Sequence, residues 1–312
     1  MKLINLIPVD TKINFLSLRK IAILASLVLC VASFGLLVTK GLNFGIDFRG
    51  GIMLEIRTAQ TADLSSIRSN LGSLGLGEIE LQRFGKDTDV LIRIESQPGG
   101  ASGQKIAVNK VKKILGPAVD YRRTEFVGPK VSGELIEAGV TAVVLALFAM
   151  LMYIWFRFEW QFGVGAVAAL GHDVVLTIGV FSLLGLEFNL STIAAILTIA
   201  GYSINDTVVV YDRVRENLRK YKVRPLEDVL NMSLNDTLSR TLLTSITTLI
   251  ALLILYFFGG EVIKDFSFAM IWGVLVGTYS SIYVATPLLA HMNLRASAVA
   301  LPEDDDNETV RP

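Results

Sequence analysis

The chain has 312 residues, of which 52 % are hydrophobic, and its mean hydropathy is +0.54. A soluble globular protein of this length would be far more polar, so the composition predicts a membrane protein. The formal net charge is zero, which gives no overall electrostatic argument for a nucleic-acid partner.

The first long apolar run falls within residues 18–39, after a polar segment of residues 1–17. About 20 apolar residues suffice to cross a bilayer as a helix. The polar segment is longer than a usual signal-peptide n-region, so we expect an uncleaved first span with a cytoplasmic N-terminus. The single cysteine, Cys30, cannot form an internal disulfide and is expected to be a packed or lipid-facing thiol.

A long polar segment, residues 40–134, follows the first span. It changes between strict alternation, which predicts strands, and a spacing of three to four, which predicts helices. The β-α-β-β-α-β order predicts a small ferredoxin-like α+β domain with its own core. Strands are expected at 52–57, 78–84, 89–95 and 118–127, a turn at 85–88, and helices at 62–74 and 104–115.

Five further apolar runs lie within residues 135–292, so the fold class is a multi-pass α-helical membrane protein with six spans. Basic residues concentrate before the first span, after the fourth and after the sixth, which places these segments in the cytoplasm. The α+β domain is then periplasmic, and the acidic residues 293–312 are expected to form a disordered cytoplasmic tail. The spans are predicted at 18–38, 136–156, 162–184, 190–211, 241–258 and 266–290.

The motifs of soluble enzymes are missing from the sequence. No Gly-rich loop ends in Gly-Lys-Ser/Thr, and no serine lies in a G-x-S-x-G turn. The two histidines and one cysteine form no cluster with the spacing of metal ligands. We therefore expect no enzymatic activity, no cofactor and no metal.

Polar groups inside apolar runs are costly and usually mark a function or a water path. Asp206 lies in the inner half of the fourth span with Ser203 and Asn205, and Arg240 begins the fifth span. The carboxylate is expected to face the bundle interior, with Ser203 on the same helix face. If the two helices are neighbours, an ion pair with Arg240 would lessen the desolvation cost of both groups and bias the protonation of the carboxylate.

Two plainer interpretations of Asp206 remain open at this point. The ion pair can serve only to fix the register of two helices, or the carboxylate can cap the inner end of its helix. His172 and Asp173, in the third span, are a less specific signal, because a histidine at a helix contact is an ordinary finding.

Five segments stand out along the chain: FGIDFRGG (44–51), VGPKVSGEL (127–135), ALGHDV (169–174), GYSINDTVVVYDRVREN (201–217) and SRTLLTS (239–245). In this order they resemble segments of the SecD/SecF family, and the fourth-span segment is similar to the SecF branch in particular. The resemblance covers nearly the whole chain, from residue 44 to the sixth span.

This resemblance implies a role in protein export across the bacterial inner membrane. Members of this branch pair with SecD and assist the SecYEG channel and the SecA motor in moving unfolded preproteins, driven by the proton gradient. In the family the fourth-span aspartate and fifth-span arginine carry protons, which implies this role for Asp206 and Arg240. Candidate relay or helix-contact residues are His172, Asp173, Ser203 and Asn205.

The segment FGIDFRGG directly follows the first span and is predicted to act as a mechanical joint between the span and the outer domain. Gly45, Gly50 and Gly51 permit backbone angles that other residues resist, and Asp47 and Arg49 can fix the joint by hydrogen bonds. The alternative is a plain exit loop that leads into a strand.

Two rival classes of function share part of this pattern. Half of a proton-driven exporter of small molecules or lipids would also have six spans and an intramembrane aspartate, but such exporters usually carry much larger outer loops. A passive assembly scaffold would need no ionisable residue at Asp206.

Overall fold

The computed structural model describes residues 11–83, 86–117, 119–260, 263–292 and 294. The predicted disordered tail at 293–312 therefore lies outside the described residues, apart from Leu294. Part of the predicted turn at 85–88 and the first ten residues lie outside them as well.

Six helices of the described chain are long and apolar enough to span a membrane, as the sequence predicted. The last of them continues from α9 through a π-helical turn (Ser281–Ala285) into the short helix α10. The spanning helices are α1 (Arg19–Thr39), α5 (Pro129–Arg157), α6 (Trp160–Leu184), α7 (Leu190–Lys220), α8 (Leu226–Phe258) and α9 (Lys264–Ser280) with α10 (Thr286–Ala290).

Helices α7 and α8 are longer than the spans predicted at 190–211 and 241–258. They continue beyond the apolar run as a polar helical hairpin, because polar side chains of the two helices pair with each other. Arg213 donates to Asp236 (2.8 Å), and Asn217 donates to Ser233 (3.0 Å). Hydropathy ends a span where the apolar run ends, whereas the helix itself continues for as long as its polar face finds partners.

Contacts divide the chain into two compact units. One unit consists of residues 1–42, 145–186 and 194–312, and the other of residues 43–144 and 187–193. In the first unit the central helices are α6, α7 and α9, since about half of each apolar window is buried (50, 50 and 56 %). Helices α1 and α8 are peripheral, with 17 % buried.

The second unit contains a four-stranded antiparallel sheet whose strand order is β3-β4-β2-β5. This order and its two helices agree with the predicted ferredoxin-like pattern, and each predicted element is present with small shifts at its ends. Its elements are β2 (Gly51–Arg57), α3 (Leu64–Gly72), β3 (Ile79–Arg83), β4 (Asp89–Ile94), α4 (Gly100–Leu115) and β5 (Asp120–Val127).

The two faces of this sheet differ in chemistry. One face forms an apolar core with α3 and α4, in which Leu54, Ile92 and Val111 are fully buried. The other face alternates with it and carries charged residues, among them Arg93 and Glu80, which oppose each other across the β3–β4 pair. The charged side chains of this face form ion pairs with one another and with Arg49 and Glu187.

A second, two-stranded sheet belongs to the same unit. Strand β1 (Asn43–Phe44) pairs in parallel with β6 (Glu187–Phe188), and the short helix α2 (Ile46–Arg49) follows β1 directly. Because the segment 187–193 leads into α7, this small sheet joins the residues after the first span to the start of the fourth.

Candidate functional site

A buried carboxylate, Asp173, collects the polar side chains of three spanning helices. Its Oδ2 accepts hydrogen bonds from Ser203 of α7 (2.5 Å) and from Ser280 of α9 (2.8 Å). Its Oδ1 lies 2.9 Å from Nδ1 of His172, its neighbour on α6. Asp173 is fully buried, so three donors offset the cost of removing the carboxylate from water.

His172 extends this polar cluster toward α1. Its ring stacks on Tyr279 (29° between the planes), and the Tyr279 hydroxyl donates to the carbonyl of Ala22 and contacts Ser26. The Nε2 of His172 is buried without a hydrogen-bond partner in the described part of the chain. His172 and Asp173, the less specific signal in the sequence, thus lie at the centre of a polar network that connects α1, α6, α7 and α9.

Asp206 has a different environment, although it is also buried (6 % exposed). Its Oδ1 accepts a hydrogen bond from Thr241 of α8 (2.9 Å). Its Oδ2 is buried and has no hydrogen-bond partner among the described residues. Asp206 therefore faces the bundle interior as predicted, but it has a single donor where Asp173 has three.

Arg240 does not form an ion pair with Asp206 in this structure. Its side chain is exposed, and the residue after it, Thr241, reaches the carboxylate instead. The positive charge of Arg240 still acts on Asp206 through space. The start of the predicted fifth span does lie beside Asp206. Helix α8 is rotated so that Thr241, and not Arg240, points toward the carboxylate.

Two further candidate residues of this helix lie in different environments. Ser203 lies on the buried face as expected, and it donates to Asp173 of α6. Asn205 is exposed, so it belongs to the outer surface of this chain. The alternative that Asp206 caps the inner end of its helix is wrong, because α7 continues to Lys220.

Hydroxyl groups connect the surroundings of the two carboxylates. Thr207, next to Asp206, shares a hydrogen bond with Ser281 (2.9 Å), and Ser281 follows Ser280, a donor to Asp173. Sequence analysis missed Thr241, Ser280 and Ser281. Serines and threonines at a spacing of three to four inside apolar spans are the signal that would have found them.

Close helix packing brings these groups together. A side chain at Gly273 of α9 would collide with Ile199 of α7, and one at Gly277 would approach Cβ of Ser203 to 3.2 Å. Gly273 and Gly277, which form a G-x-x-x-G segment in the sixth span, therefore let α9 approach α7 closely. No group of three or more His, Cys, Asp or Glu in the described chain could hold a metal ion.

The predicted joint, FGIDFRGG, is built into the second unit. Asp47 accepts a hydrogen bond from the backbone N–H of Leu190 (3.0 Å), the first residue of α7. The Ser132 hydroxyl, from the VGPKVSGEL segment, donates to the carbonyl of Phe48 (2.7 Å). Arg49 pairs with Glu80 of β3 (3.1 Å). The segment thus contacts the sheet, the start of α5 and the start of α7.

The glycines of this segment have separate roles. Gly50 and Gly51 adopt positive φ angles (69° and 104°), which only glycine adopts without strain. A Cβ on Gly51 would also collide with the carbonyl of Ile94 in the sheet. A Cβ on Gly45 would lie 2.7 Å from Oε1 of Glu187. Gly45 therefore makes room for the carboxylate of the opposite strand.

Glu187 of β6 is a largely buried acid that lies beside this joint. Burial raises the pKa of its carboxyl above the usual value, and the nearby Arg93 and Arg123 partly offset the effect. The guanidinium of Arg93 lies 3.7 Å from Glu187 Oε1 and donates to the Asn43 side chain (2.7 Å). Asp47 and Glu125 add negative charge to the same group.

The geometry defines a multi-pass membrane protein whose interior helices surround two carboxylates and a chain of hydroxyls. Two family models match the chain: "Protein export membrane protein SecD/SecF, C-terminal" over residues 107–295 and "SecD/SecF GG Motif" over residues 35–62. The chain therefore belongs to the SecD/SecF family, in its SecF branch.

Curated relatives agree over nearly their whole length. The protein translocase subunit SecF of Rickettsia rickettsii (strain Sheila Smith) is 46 % identical over 293 residues, covering 92 % of this chain and 94 % of that protein. The protein of the same name from Rhodobacter capsulatus is 47 % identical over 306 residues, covering 93 % of this chain and 92 % of its own.

The fold also matches a solved structure. The crystal structure of SecDF, a translocon-associated membrane protein from Thermus thermophilus, is 38 % identical and superposes with a TM-score of 0.83. The match covers 92 % of this chain but 39 % of the SecDF chain, so this chain spans about two fifths of the length of that protein.

Proposed function

We propose that this protein is a non-enzymatic subunit of the protein export machinery of the bacterial inner membrane. It pairs with a SecD subunit and uses the proton gradient to assist preproteins that the SecYEG channel and SecA deliver. Family membership and the names of the relatives support the export role. One observation carries the proton-driven part, which is the buried Asp206 with one unpartnered oxygen.

The chemistry of a proton carrier requires a group that gains and loses a proton inside the bundle. Oδ2 of Asp206 can take a proton without displacing a hydrogen-bond donor, because it has none. Asp173 is less suited, since both of its oxygens already have hydrogen-bond partners, in Ser203, Ser280 and His172. We therefore assign the exchangeable proton to Asp206, with Thr241 orienting the carboxylate and Arg240 acting on it through space.

The energy available from each proton is modest but usable. A proton that crosses a potential of about 100 mV releases roughly 2.3 kcal/mol, before any pH difference is added. A change of charge on a buried carboxylate alters its solvation by a comparable or larger amount. Protonation of Asp206 can thus shift the packing of α7 against α8, which carries Thr241.

The joint gives this movement a route to the outer domain. Asp47 holds the first residue of α7, and Asp206 lies on the same continuous helix. Ser132, at the start of α5, also donates to the carbonyl of Phe48 in the joint. The joint therefore connects the segment before the α+β domain to the segment that follows it. We propose that displacement of α7 is transmitted through this contact, so that the outer domain changes its contact with an emerging polypeptide.

The test replaces Asp206 with asparagine, which keeps the size and hydrogen bonding of the side chain but cannot change charge. Export into inverted membrane vesicles should lose its proton-gradient-dependent part while the protein stays folded and in complex. Asp212→Asn is the matched control, because Asp212 is a half-exposed carboxylate of the same helix. Gradient-stimulated export at the normal rate in Asp206→Asn vesicles would refute the proton role and leave the export role standing.

A further inference from the structure

The turn that joins α7 to α8 carries unpaired positive charge. Basic residues farther from the turn are neutralised by ion pairs: Arg213 with Glu216 and Asp236, Arg157 with Asp212, and Arg19 with Glu227. Four exposed basic residues at the turn form no ion pair with any described residue. We call them the basic tip: Arg219, Lys220, Lys222 and Arg224.

Two further features make the basic tip a surface that another group can cover. Val223, at its centre, is 94 % exposed. Lys220 and Arg224 lie over the ring of Tyr221 (5.3 and 5.0 Å), which holds part of the positive charge in place. The exposed Asp228, in the first turn of α8, forms no ion pair with any of the four described residues of the basic tip.

A segment of opposite charge lies further along the same chain. Residues 303–308, EDDDNE, contain five carboxylates and no basic residue. They follow Leu294, which is fully buried in the same apolar cluster as Leu218 of α7 and Leu230 of α8.

Helix α7 and the sixth span run in the same direction, because their contacts advance together along both helices. Thr207 contacts Ser281, and Tyr211 donates to the carbonyl of Ala285. Leu294 therefore lies at the end of the bundle where α7 ends, which is the end that carries the basic tip.

The distance is within reach of the intervening chain. Leu218 and Leu230 each lie about one helical turn from the connection between α7 and α8. Residues 295–302, which separate Leu294 from the acidic segment, can extend over about 27 Å. The acidic segment can therefore contact the basic tip without any rearrangement of the bundle.

We propose that the acidic segment of residues 303–308 docks on the basic tip and covers it until a competing anionic partner displaces it. Exposed ion pairs are individually weak, but a short tether raises the local concentration of the segment to about the millimolar range. The contact is then reversible and sensitive to salt. This inference is independent of the proton role of Asp206, since it concerns other residues.

The test uses the full-length protein in lipid nanodiscs, with Val223→Cys and Asp305→Cys introduced and Cys30 replaced by serine. The two introduced thiols should form a disulfide or a short bis-maleimide cross-link at low salt. Raising the salt to about 1 M, where the screening length falls to about 3 Å, should reduce the cross-linking rate about fivefold or more.

Charge reversals separate docking from simple tethering. Lys220→Glu with Lys222→Glu should abolish the rapid cross-linking, as should Asp304→Lys with Asp306→Lys. Combining the two sets should restore it, because the charges are then complementary again. None of the substituted side chains belongs to the packed core of the described residues: Lys220, Lys222 and Val223 are exposed, and positions 304–306 follow the last described residue. The thermal unfolding midpoint of each variant is the control for folding.

Other occupants of the basic tip would give different results. Cross-linking that is slow at low salt, or equally fast with reversed charges and in high salt, would overturn the proposal. Loss of the cross-link when anionic lipid is added to neutral nanodiscs would assign the basic tip to lipid headgroups and would also overturn it. Fast, salt-sensitive cross-linking in both lipid mixtures, restored by the double reversal, is the supporting result.

Discussion

The two buried aspartates of the bundle show how identical side chains acquire different properties. Asp173 has hydrogen-bond partners in Ser203, Ser280 and His172, whereas the one hydrogen bond to Asp206 comes from Thr241, with the Ser281 hydroxyl nearby. A carboxylate whose two oxygens are both hydrogen-bonded is fixed in position, whereas one with a bare oxygen can gain a proton without breaking a contact. The first suits a rigid centre of the bundle, and the second suits a site that must alternate.

Beside the FGIDFRGG joint, Glu187→Gln tests a pH effect of burial. Because burial raises the pKa of Glu187, the folded state binds this proton more tightly than the unfolded state does. Its contribution to stability is therefore present at low pH and is lost as the pH rises through the folded-state pKa. Glutamine cannot titrate, so the stability of the variant relative to the natural protein should increase from about pH 4 to about pH 8.

Thermal unfolding of the full chain in detergent at a series of pH values measures this difference. Asp89→Asn is an informative comparison, since Arg57 holds the pKa of Asp89 below its usual value. The relative stability of that variant should fall as the pH rises from about 2 to about 5, because the ordinary aspartate pKa is about 3.9, and it should change little from about pH 5 to about pH 8. If Glu187→Gln instead became less stable relative to the natural protein as the pH rose, attraction to Arg93 would outweigh the burial cost.

The contact between the joint and the first residue of α7 can be tested with two matched substitutions, each of which removes an acceptor at the start of a helix. Asp47→Ala removes an acceptor at the start of α7, and Asp63→Ala removes the N-cap of α3 in the same domain. Each loss should cost about 1 kcal/mol of stability. Only Asp47→Ala should reduce gradient-driven export, because only Asp47 contacts the helix that carries Asp206. Equal export by the two variants at equal protein level would remove the joint from the mechanism.

The close approach of α9 to α7 makes a second prediction at this scale. In Gly273→Ala the new methyl group would collide with Ile199, so we expect a loss of about 1–3 kcal/mol in stability. Gly201→Ala is the control, because its Cβ would meet nothing within 4 Å. Thermal unfolding of both variants provides the measurement, and equal midpoints would contradict the proposed packing constraint.

The elements themselves were largely accessible from the sequence, whereas their rotations were not. Apolar run length located all six spans, and alternation located the strands of the α+β domain. The residue that contacts Asp206 is Thr241, which follows Arg240 in the sequence. Whether Arg240 or Thr241 points inward depends on how α8 is rotated against its neighbours, which a pattern in one helix does not contain.

The partners of Asp173 illustrate the same limit. Ser203 and Ser280 are 77 positions apart in the chain and meet only because glycines let α7 and α9 approach. The polar extension of the α7–α8 hairpin was missed for a related reason. Its stability comes from pairs such as Arg213 with Asp236, which neither helix shows by itself.

At the scale of the whole molecule, polar side chains are exposed on the surface of the membrane-spanning helices. Asn205 and Arg240 are exposed in the isolated chain, close in sequence to the buried Asp206 and Thr241. Polar groups that face lipid tails are costly, so this surface should be covered by protein in the assembled complex. A second six-span subunit of the SecD type is the partner that the SecDF relative indicates.

Cross-linking tests this assembly directly. Asn205→Cys, with Cys30 replaced by serine, should cross-link efficiently to a co-expressed SecD subunit in native membranes. Leu24→Cys is the control, because Leu24 is an apolar residue of α1 that is 62 % exposed and suited to lipid. Cross-linking from position 24 but not from position 205 would place the partner on another face of the bundle.

The π-helical turn at Ser281–Ala285 has a consequence for how the sixth span can move. Such a turn accommodates one residue more than the α-helical turn it replaces, so the helix holds a surplus residue beside Ser281 and its contact to Thr207. A surplus residue can be passed along a helix only as a whole. The part beyond it, including α10 and Leu294, would then rotate by about 100° and advance by about 1.5 Å. Any shift of this surplus residue along the sixth span would therefore occur in whole-residue steps, because intermediate positions leave backbone groups without partners.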